Sequence, residues 1–539
     1  SNAAALGGRL SDYYVSYQGD WSQYFTDLEN VKKLKLTDVN QTLTQFLVPQ
    51  HRISGDIQPT PEEQKKALKQ KQASEPAKTL TPTDIQAEPL KDSRVYQQEV
   101  AEYVKASKQS LVNTEKKIQR GTLKNGIQYA LYPTSTRDDK TYATISIDFG
   151  TEKSLFNQGE VLDLMAYLLL RGSDQYSLQD IADKSIEAGG GATANAAGNS
   201  ITIQIVAKKE KFADYFKFML EVLKKPKFEP SQFDLIKSQS LSALDRPYTE
   251  PETVAALTMT RLLETYQPGD LRYHFEPEFS KQQIKAATVE QVKTLYQNFF
   301  VSNHAQIAIT GDYQAKTMLK ILQKEFGGWK AKLPYQRLSS DYQAYPAQKV
   351  HTLSEQREFG NYQSILTFPV GADHPDTPAL MVFSYILGDS QLSSRLAQEL
   401  REKNALVYGF GSGLNLDEWL DSGALTIEAN YTAGKSAQVS QGVHKVLNDL
   451  LSKGVTEQEL EAAKANILKK RVTALEDERN IHRMLTPQLE HHRDLLFREK
   501  RDQALAKLTK ADVDAVIKKY IKLDQFVEVM ADQYGKAQK

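Results

Sequence analysis

The chain has 539 residues, too many for one ordinary hydrophobic core, so two or more domains are expected. Apolar residues make up 40% and charged residues 25%, and 68 basic side chains balance 68 acidic ones, leaving no global field to draw in nucleic acid or an anionic membrane. Without cysteine there can be no disulfide, thiolate metal site or cysteine nucleophile, and no apolar run approaches the ~20 residues of a membrane-spanning helix.

Residues 9–47 read as two helices, the second being LTDVNQTLTQFL, and HRISGDIQP follows as an extended run. Between Asp56 and Asp92 five prolines punctuate a polar tract, the composition of a linker, and SRVYQQEVAEYVKASKQSLVN then reads as a helix. The first large unit opens with two strands, LKNGIQYALYPT and YATISIDFG, the Asn125-Gly126 pair marking a turn ahead of the apolar run. Helices are predicted at 158–171 and 177–188, then a strand pair at 191–199 and 200–209, in which Ile201, Ile203 and Ile205 alternate with polar residues. Helices at 210–224, 230–245, 250–266 and 288–300 lead to a strand, HAQIAITGDY, and a helix at 315–326.

A second unit starts near Tyr335 with a similar order: strands at 349–355 and 363–370, then a helix at 377–387. The stretch from Ile386 to Leu414 follows. Leu392, Leu396 and Leu400 recur every four residues on a helix that breaks around Asn404 into a Gly-spaced strand. Arg401 sits in the last turn of that helix and Tyr408 just inside the strand. Such a corner can polarise a carbonyl, and it is also a common way to end a surface helix. The strand SGALTIEANYT, helices at 435–452, 456–478 and 480–496, the helix LTKADVDAVIKKYI and the strand DQFVEVMAD complete the unit.

The order repeats in detail. An offset of 221 sets Val292 on Val513, Tyr296 on Ile517, Phe299 on Tyr520 and Phe300 on Ile521, and aligns two N-terminal caps, Thr288/Gln291 and Thr509/Asp512. An offset of 227 sets Phe233 on Leu460 and Lys237 on Lys464. An offset of 253 sets Val39, Leu43, Phe46 and His51 on Val292, Tyr296, Phe299 and His304. Two whole α+β repeats therefore follow the tail end of a third. That pattern, with Ser1-Asn2-Ala3 resembling a tag-cleavage scar, predicts the C-terminal part of a longer protein.

Familiar catalytic patterns are missing. The nine histidines include no H-E-x-x-H or H-x-x-E-H pair. The densest group is Glu490, His491 and His492 with His482 upstream; adjacent residues on a helix point about 100° apart, so a solvated helix face is expected. No G-x-S-x-G stands in a strand-turn-helix setting, GFGSGLN reads as a glycine-rich hairpin strand, and Gly189-Gly190-Gly191 has no P-loop lysine.

Several segments in order resemble the C-terminal half of the pitrilysin/insulinase-like zinc peptidases, the M16 family: LKNGIQYALYP, LLLRGSDQYS, VSNHAQIAITGD and LSSRLAQELREKNALVYGFGS, with GDWSQYFTDLENVKKL resembling the end of a preceding domain. The resemblance implies an α+β fold of two related M16-type (LuxS/MPP-like) domains, each a mainly antiparallel sheet with helices packed on one face. It divides the chain into a domain tail at 1–57, a linker with helical segments at 58–115, a domain at 116–334 and a domain at 335–539.

The family's inverted H-x-x-E-H zinc motif would fall on Asp163, Ala166 and Tyr167, and no Glu occurs between Pro230 and Thr249 to complete a metal site. The 116–334 domain is therefore expected to be a degenerate copy that binds no metal, with zinc carried by an N-terminal half or partner subunit. Arg401 and Tyr408 match the Arg and Tyr that the inactive half of paired members extends to the active site, where they would act on a peptide substrate. The competing expectation is an inactive subunit that serves as a binding or scaffolding partner. Bacterial-looking members of the family lean towards export or the periplasm.

Overall fold

The computed structural model describes residues 3–46 and 89–536, and the chain divides into two units, Ser1–Thr81 and Pro82–Lys539. In the first unit, helices span Ala3–Ser16, Gln23–Lys33 and Leu36–Phe46, three where the sequence predicts two. The additional break is conformational. Gln18 and Gly19 take φ of 52° and 102°, a left-handed pair that ends a helix. Asp20 then accepts a hydrogen bond from the Ser22 N–H at 3.0 Å to start the next. Val39, Leu43 and Phe46 are 42%, 45% and 60% exposed, although Val292 and Phe299, their counterparts by repeat, are buried. The extended run predicted at 51–59, the His51 match and residues 58–88 of the predicted linker lie outside the described residues.

The second unit contains two sheets. The first comprises β1 (Gln119–Thr122), β2 (Gln128–Pro133), β3 (Lys140–Asp148), β4 (Gly191–Ala197), β5 (Ser200–Lys208) and β6 (Ala305–Gly311), in the order β1-β2-β6-β3-β5-β4. The second comprises β7 (Gln348–Leu353), β8 (Phe359–Phe368), β9 (Val407–Leu416), β10 (Gly423–Thr432) and β11 (Val527–Asp532), in the order β7-β11-β8-β10-β9. Without β1 the two orders correspond strand for strand, and in each only the first pair is parallel, β2 with β6 and β7 with β11. Alternation explains the pairing face: Ile201, Ile203 and Ile205 lie opposite Ile147, Ile145 and Ala143, and all six are buried. The β1 strand escapes sequence reading because QRGT has no alternation. It is created by the Asn125-Gly126 turn, where Gly126 takes φ of 98° and folds the chain back on β2.

The repeat extends to local capping. Thr288/Gln291 and Thr509/Asp512 both form full capping boxes, and Val292 and Val513 behind them are wholly buried. Two helices were not foreseen, Pro277–Ala286 and Leu496–Lys507. Both are rich in polar residues and each buries only a few side chains, so their hydrophobic periodicity is faint.

Each sheet carries its own helices on one face, over a core that includes Ile145, Ile203 and Met165 in the first domain and Leu366, Ile427 and Leu468 in the second. The opposite face receives one helix from the other domain. Pro251–Leu262 lays Ala255 and Met259 on Val527, Val529 and Ala531 of the second sheet. Reciprocally, Glu478–Glu490 lays Ile481, Leu485 and Leu489 on Ala130, Tyr132 and Ala308 of the first sheet. The two helices are related by the 227 offset, Pro251 matching Glu478. This exchange covers both faces of β6 and β11, which are buried at every residue and accordingly read as continuous apolar runs in part of their length.

The Ser93–Glu115 helix, within the stretch predicted as linker, packs into the body of this unit. Its N-cap Asp92 accepts from the Arg94 N–H at 2.9 Å, Tyr96 and Val100 join the second core, and Leu111 joins the cluster beneath the exchanged 478–490 helix. The Ser107 hydroxyl donates to buried Asp502 at 2.6 Å, and Asp502 also pairs with Arg471.

Leu485 lies at the centre of one exchanged contact and is fully buried. Leu485→Ala should destabilise the second unit by about 2–5 kcal/mol in urea unfolding, the usual cost of such a cavity. A loss below about 0.5 kcal/mol, ordinary for surface positions, would show that the exchange contributes little to stability.

Candidate functional site

The corner at Arg401 differs from a plain helix end. The sequence predicts one helix through Leu392, Leu396 and Leu400; the structure instead has a 3₁₀ turn at Gln391–Ser393 and a π-helical stretch at Ala397–Lys403. Gln391, at φ 54°, interrupts the helix, so Leu392 is only partly buried whereas Leu396 and Leu400 are fully buried. The π-helical stretch closes on Ala405, a left-handed residue at φ 47°. The Ala405 N–H donates to the Arg401 carbonyl at 3.0 Å and the Leu406 N–H to the Leu400 carbonyl at 2.8 Å, one residue wider than an ordinary helix cap. A left-handed alanine costs on the order of 1 kcal/mol, and such outliers cluster at functional corners.

Beneath this turn lies Glu399, a buried carboxylate missed in the sequence. Burial acts to raise its pKa, but Lys445 at 2.5 Å and Lys403 at 3.5 Å hold it below the ordinary glutamate value. The Asn404 amide donates to the Glu399 carbonyl at 2.6 Å, tying the corner internally. Arg395 is spent on a bidentate pair with Glu459, at 2.5 and 2.9 Å. Arg401, by contrast, has no ion pair and no side-chain hydrogen bond among the described residues, and its side chain is half-buried.

Tyr408 occupies a β-bulge. On β10, Tyr431 pairs with Val407 and the next residue, Asn430, with Gly409, which leaves Tyr408 as the extra residue of edge strand β9. A bulge re-aims a side chain, and Tyr408 is 56% exposed beside buried Val407. The Thr432 hydroxyl donates to the Tyr408 phenol oxygen at 3.3 Å, so the phenolic proton stays available to another acceptor. Nothing in sequence spacing links residue 432 to 408; the register of β9 on β10 creates the contact. Ser412, in the glycine-rich strand, donates to the Ser384 carbonyl at 2.8 Å and is a structural hydroxyl.

The Asp163, Ala166 and Tyr167 positions lie on the Gly159–Leu168 helix but do not present one common surface. Ala166 is buried at 2% exposure, Tyr167 is 55% exposed and Asp163 is open to solvent. Asp163 lines a cleft of about 290 Å³ with Glu160, Tyr273, His274 and Phe279. Although the residue is exposed, the cleft walls partly desolvate its carboxyl and, with the Glu160 charge adding, raise the Asp163 pKa to about 6. His274 is committed to Glu264 and Glu276. One carboxyl, a methyl and a phenol do not make a zinc site, which needs about three ligands with nitrogen, sulfur or oxygen donors at fixed geometry. Among the described residues no group of three His, Cys, Asp or Glu is arranged to hold a metal ion.

The histidines at the end of the 478–490 helix are dispersed. Glu490 pairs with Arg337, His491 stacks on Trp419 with centroids 4.1 Å apart, and His492 meets Gln128 at 3.1 Å. His482 is buried between the Thr144 and Thr310 hydroxyls, 2.9 Å from each, and burial lowers its pKa to about 4. Gly189-Gly190-Gly191 is a left-handed helix end leading into β4.

Two α+β domains of equal strand order give the chain the fold of M16-like peptidase domains. Residues 286–467 match the family described as the peptidase M16 inactive domain. An uncharacterized zinc protease of Mycobacterium leprae is 27% identical over 203 residues, which span 36% of this chain and 43% of that relative, less than half its length. The peptidase M16 inactive domain from Pseudomonas fluorescens shares the fold with a TM-score of 0.67 and 20% identity, over 78% of this chain and 99% of that one. The periplasmic protease PqqL from Escherichia coli shares it with a TM-score of 0.63 and 15% identity, over 99% of this chain and 58% of that one.

The His482 environment sets a pH dependence. Its folded pKa lies below the unfolded value of about 6.5, so the unfolded chain binds more protons between pH 6.5 and 4 and stability falls as pH drops through that window. The group alone should remove about 2 kcal/mol between pH 7 and pH 5. Urea midpoints measured at both pH values should show a smaller difference for His482→Asn than for the wild type; equal differences would contradict this placement of the proton.

Proposed function

We propose that this chain is the half of an M16-type peptidase that holds no zinc, and that it completes a peptide-hydrolysis site in a zinc-bearing half by extending Arg401 and Tyr408 into it. One observation carries the reading. Arg401 leaves its guanidinium unspent on a rigid, internally tied corner, and seven residues on a bulge turns Tyr408 outward with its phenolic proton unspent. Arg395, six residues earlier, is by contrast consumed by its ion pair with Glu459.

Water attack on a peptide carbonyl gathers negative charge on the carbonyl oxygen. A preset phenolic O–H and a guanidinium directed at that oxygen stabilise the transition state more than the ground state, each contributing about 3 kcal/mol. Arginine suits this role because its planar fork holds two acceptors at once without losing its proton. Asp163, Ala166 and Tyr167 do not fit a metal, so the metal chemistry is assigned to the other half. Neither half is then sufficient alone.

The test supplies a zinc-bearing M16 half and compares the wild-type chain with Arg401→Ala and Tyr408→Phe. Each substitution should lower kcat/KM for a peptide by about 10²–10³-fold with association of the halves unchanged. Unchanged turnover with intact association would identify a scaffold instead. Metal analysis of this chain alone should find less than stoichiometric zinc, and one tightly held zinc per chain would overturn the assignment.

A further inference from the structure

Three glycines of β9, Gly409, Gly411 and Gly413, pair with Asn430, Glu428 and Thr426 of β10. Alternation puts these pairs on the sheet face opposite the core, since Leu425, Ile427 and Ala429 between them are buried. Together they line a trough of about 430 Å³. Its row of β10 residues ends at Thr432, the residue that holds the Tyr408 hydroxyl.

Two of these glycines, Gly409 and Gly411, are not required by the fold, whereas a side chain at Gly413 would press on Thr426. None has a left-handed φ, and a Cβ would meet nothing within 4 Å at Gly409, only the Gln391 amide at 4.0 Å at Gly411, and only the Thr426 hydroxyl at 3.0 Å at Gly413. Glycine in a strand costs roughly 0.5–1 kcal/mol relative to alanine, and its retention where a side chain would fit marks close approach by another backbone or ligand. The first sheet lacks the feature: β4 presents Thr193 and Asn195 opposite Gln204 and Thr202.

The polar groups specify the occupant. Glu428 is exposed and has no ion pair among the described residues; Glu252, at the start of the exchanged helix, accepts from Asn430 at 2.9 Å and likewise has none. Asn361, with 0% exposure, lies behind the trough and donates to Glu428 at 3.1 Å and Asn430 at 2.8 Å, while its side-chain amide oxygen has no partner among the described residues. The wall is thus acidic, with an acceptor buried and unpaired behind it.

We infer that the trough binds an extended peptide segment carrying a lysine or arginine side chain, placed against Glu428 with the peptide backbone lying over Gly409, Gly411 and Gly413 towards Tyr408. The row spans roughly 13 Å, room for four or five extended residues. The absence of side chains on β9 lets a backbone lie close, and the Glu428 carboxylate selects the cation. The inference deepens the proposed composite site and rests on that reading for its biological use, but the trough's own binding can be measured without catalysis.

The probe is a fluorescein-labelled, end-blocked heptapeptide alternating threonine and valine around a central lysine, titrated into the full chain by anisotropy. Counterparts carry glutamine or glutamate at the centre. The wild type should prefer the lysine peptide by about tenfold over glutamine, and Glu428→Gln should abolish that preference. Gly411→Val should weaken binding of all three at least about tenfold while leaving the melting temperature unchanged or higher, because valine suits a strand and its Cβ has room. No binding by the wild type, equal binding by Gly411→Val, or no lysine preference would overturn the inference. Self-association lost in Gly411→Val without peptide binding would assign the trough to a second copy and overturn it as well. Peptide binding that persists while Arg401→Ala leaves turnover of the assembled halves unchanged would refute the composite site and leave the trough standing.

Discussion

The reciprocal exchange of helices between the two domains is the constraint on which the second unit depends. A β-sheet with helices on one face still has another face to cover, and here each domain covers it with a helix supplied by its neighbour. The exchange buries β6 and β11 from both sides and makes the two domains one packed body. The Ser93–Glu115 helix reinforces it by joining the second core and the 478–490 contact at once. Buried His482, neutral between two threonine hydroxyls on adjacent strands, shows that the contact is also specified by hydrogen bonds.

The same packing frames the Arg401 corner. Its π-helical turn is closed by Ala405 and tied through Asn404 to Glu399, which fixes the backbone that carries Arg401. The edge strand that follows is irregular for a related reason. Its bulge turns Tyr408 out, and its glycines leave one face bare. The corner and the trough are therefore consecutive parts of one surface.

Much of the architecture was legible because it depends on periodicity and on repetition. Alternating isoleucines, the Asn125-Gly126 turn and the capping residues at Thr288 and Thr509 act over a few residues, and each does locally what its type suggests. The 221 and 227 offsets went further, matching buried positions across two domains. Polar helices such as Pro277–Ala286, the short β1 and the left-handed Gln391 had no such signal, since each owes its form to a neighbour distant in sequence or to a single backbone angle.

By itself, the sequence determined the repeated α+β plan and the helix-to-strand corner that carries Arg401 and Tyr408, which follow from residue identity and spacing. The reading of Asp163, Ala166 and Tyr167 as an emptied zinc motif came instead from the resemblance to M16 peptidases. Only the tertiary structure decided that Arg395 is consumed by Glu459 while Arg401 is not, that Thr432 holds Tyr408, and that three glycines face Glu428 across an open trough. The reason is physical: availability of a charge, direction of a side chain and emptiness of a groove depend on what strand register and packing bring near, and Tyr408 meets Thr432, and Gly411 faces Glu428, only after β9 has paired with β10.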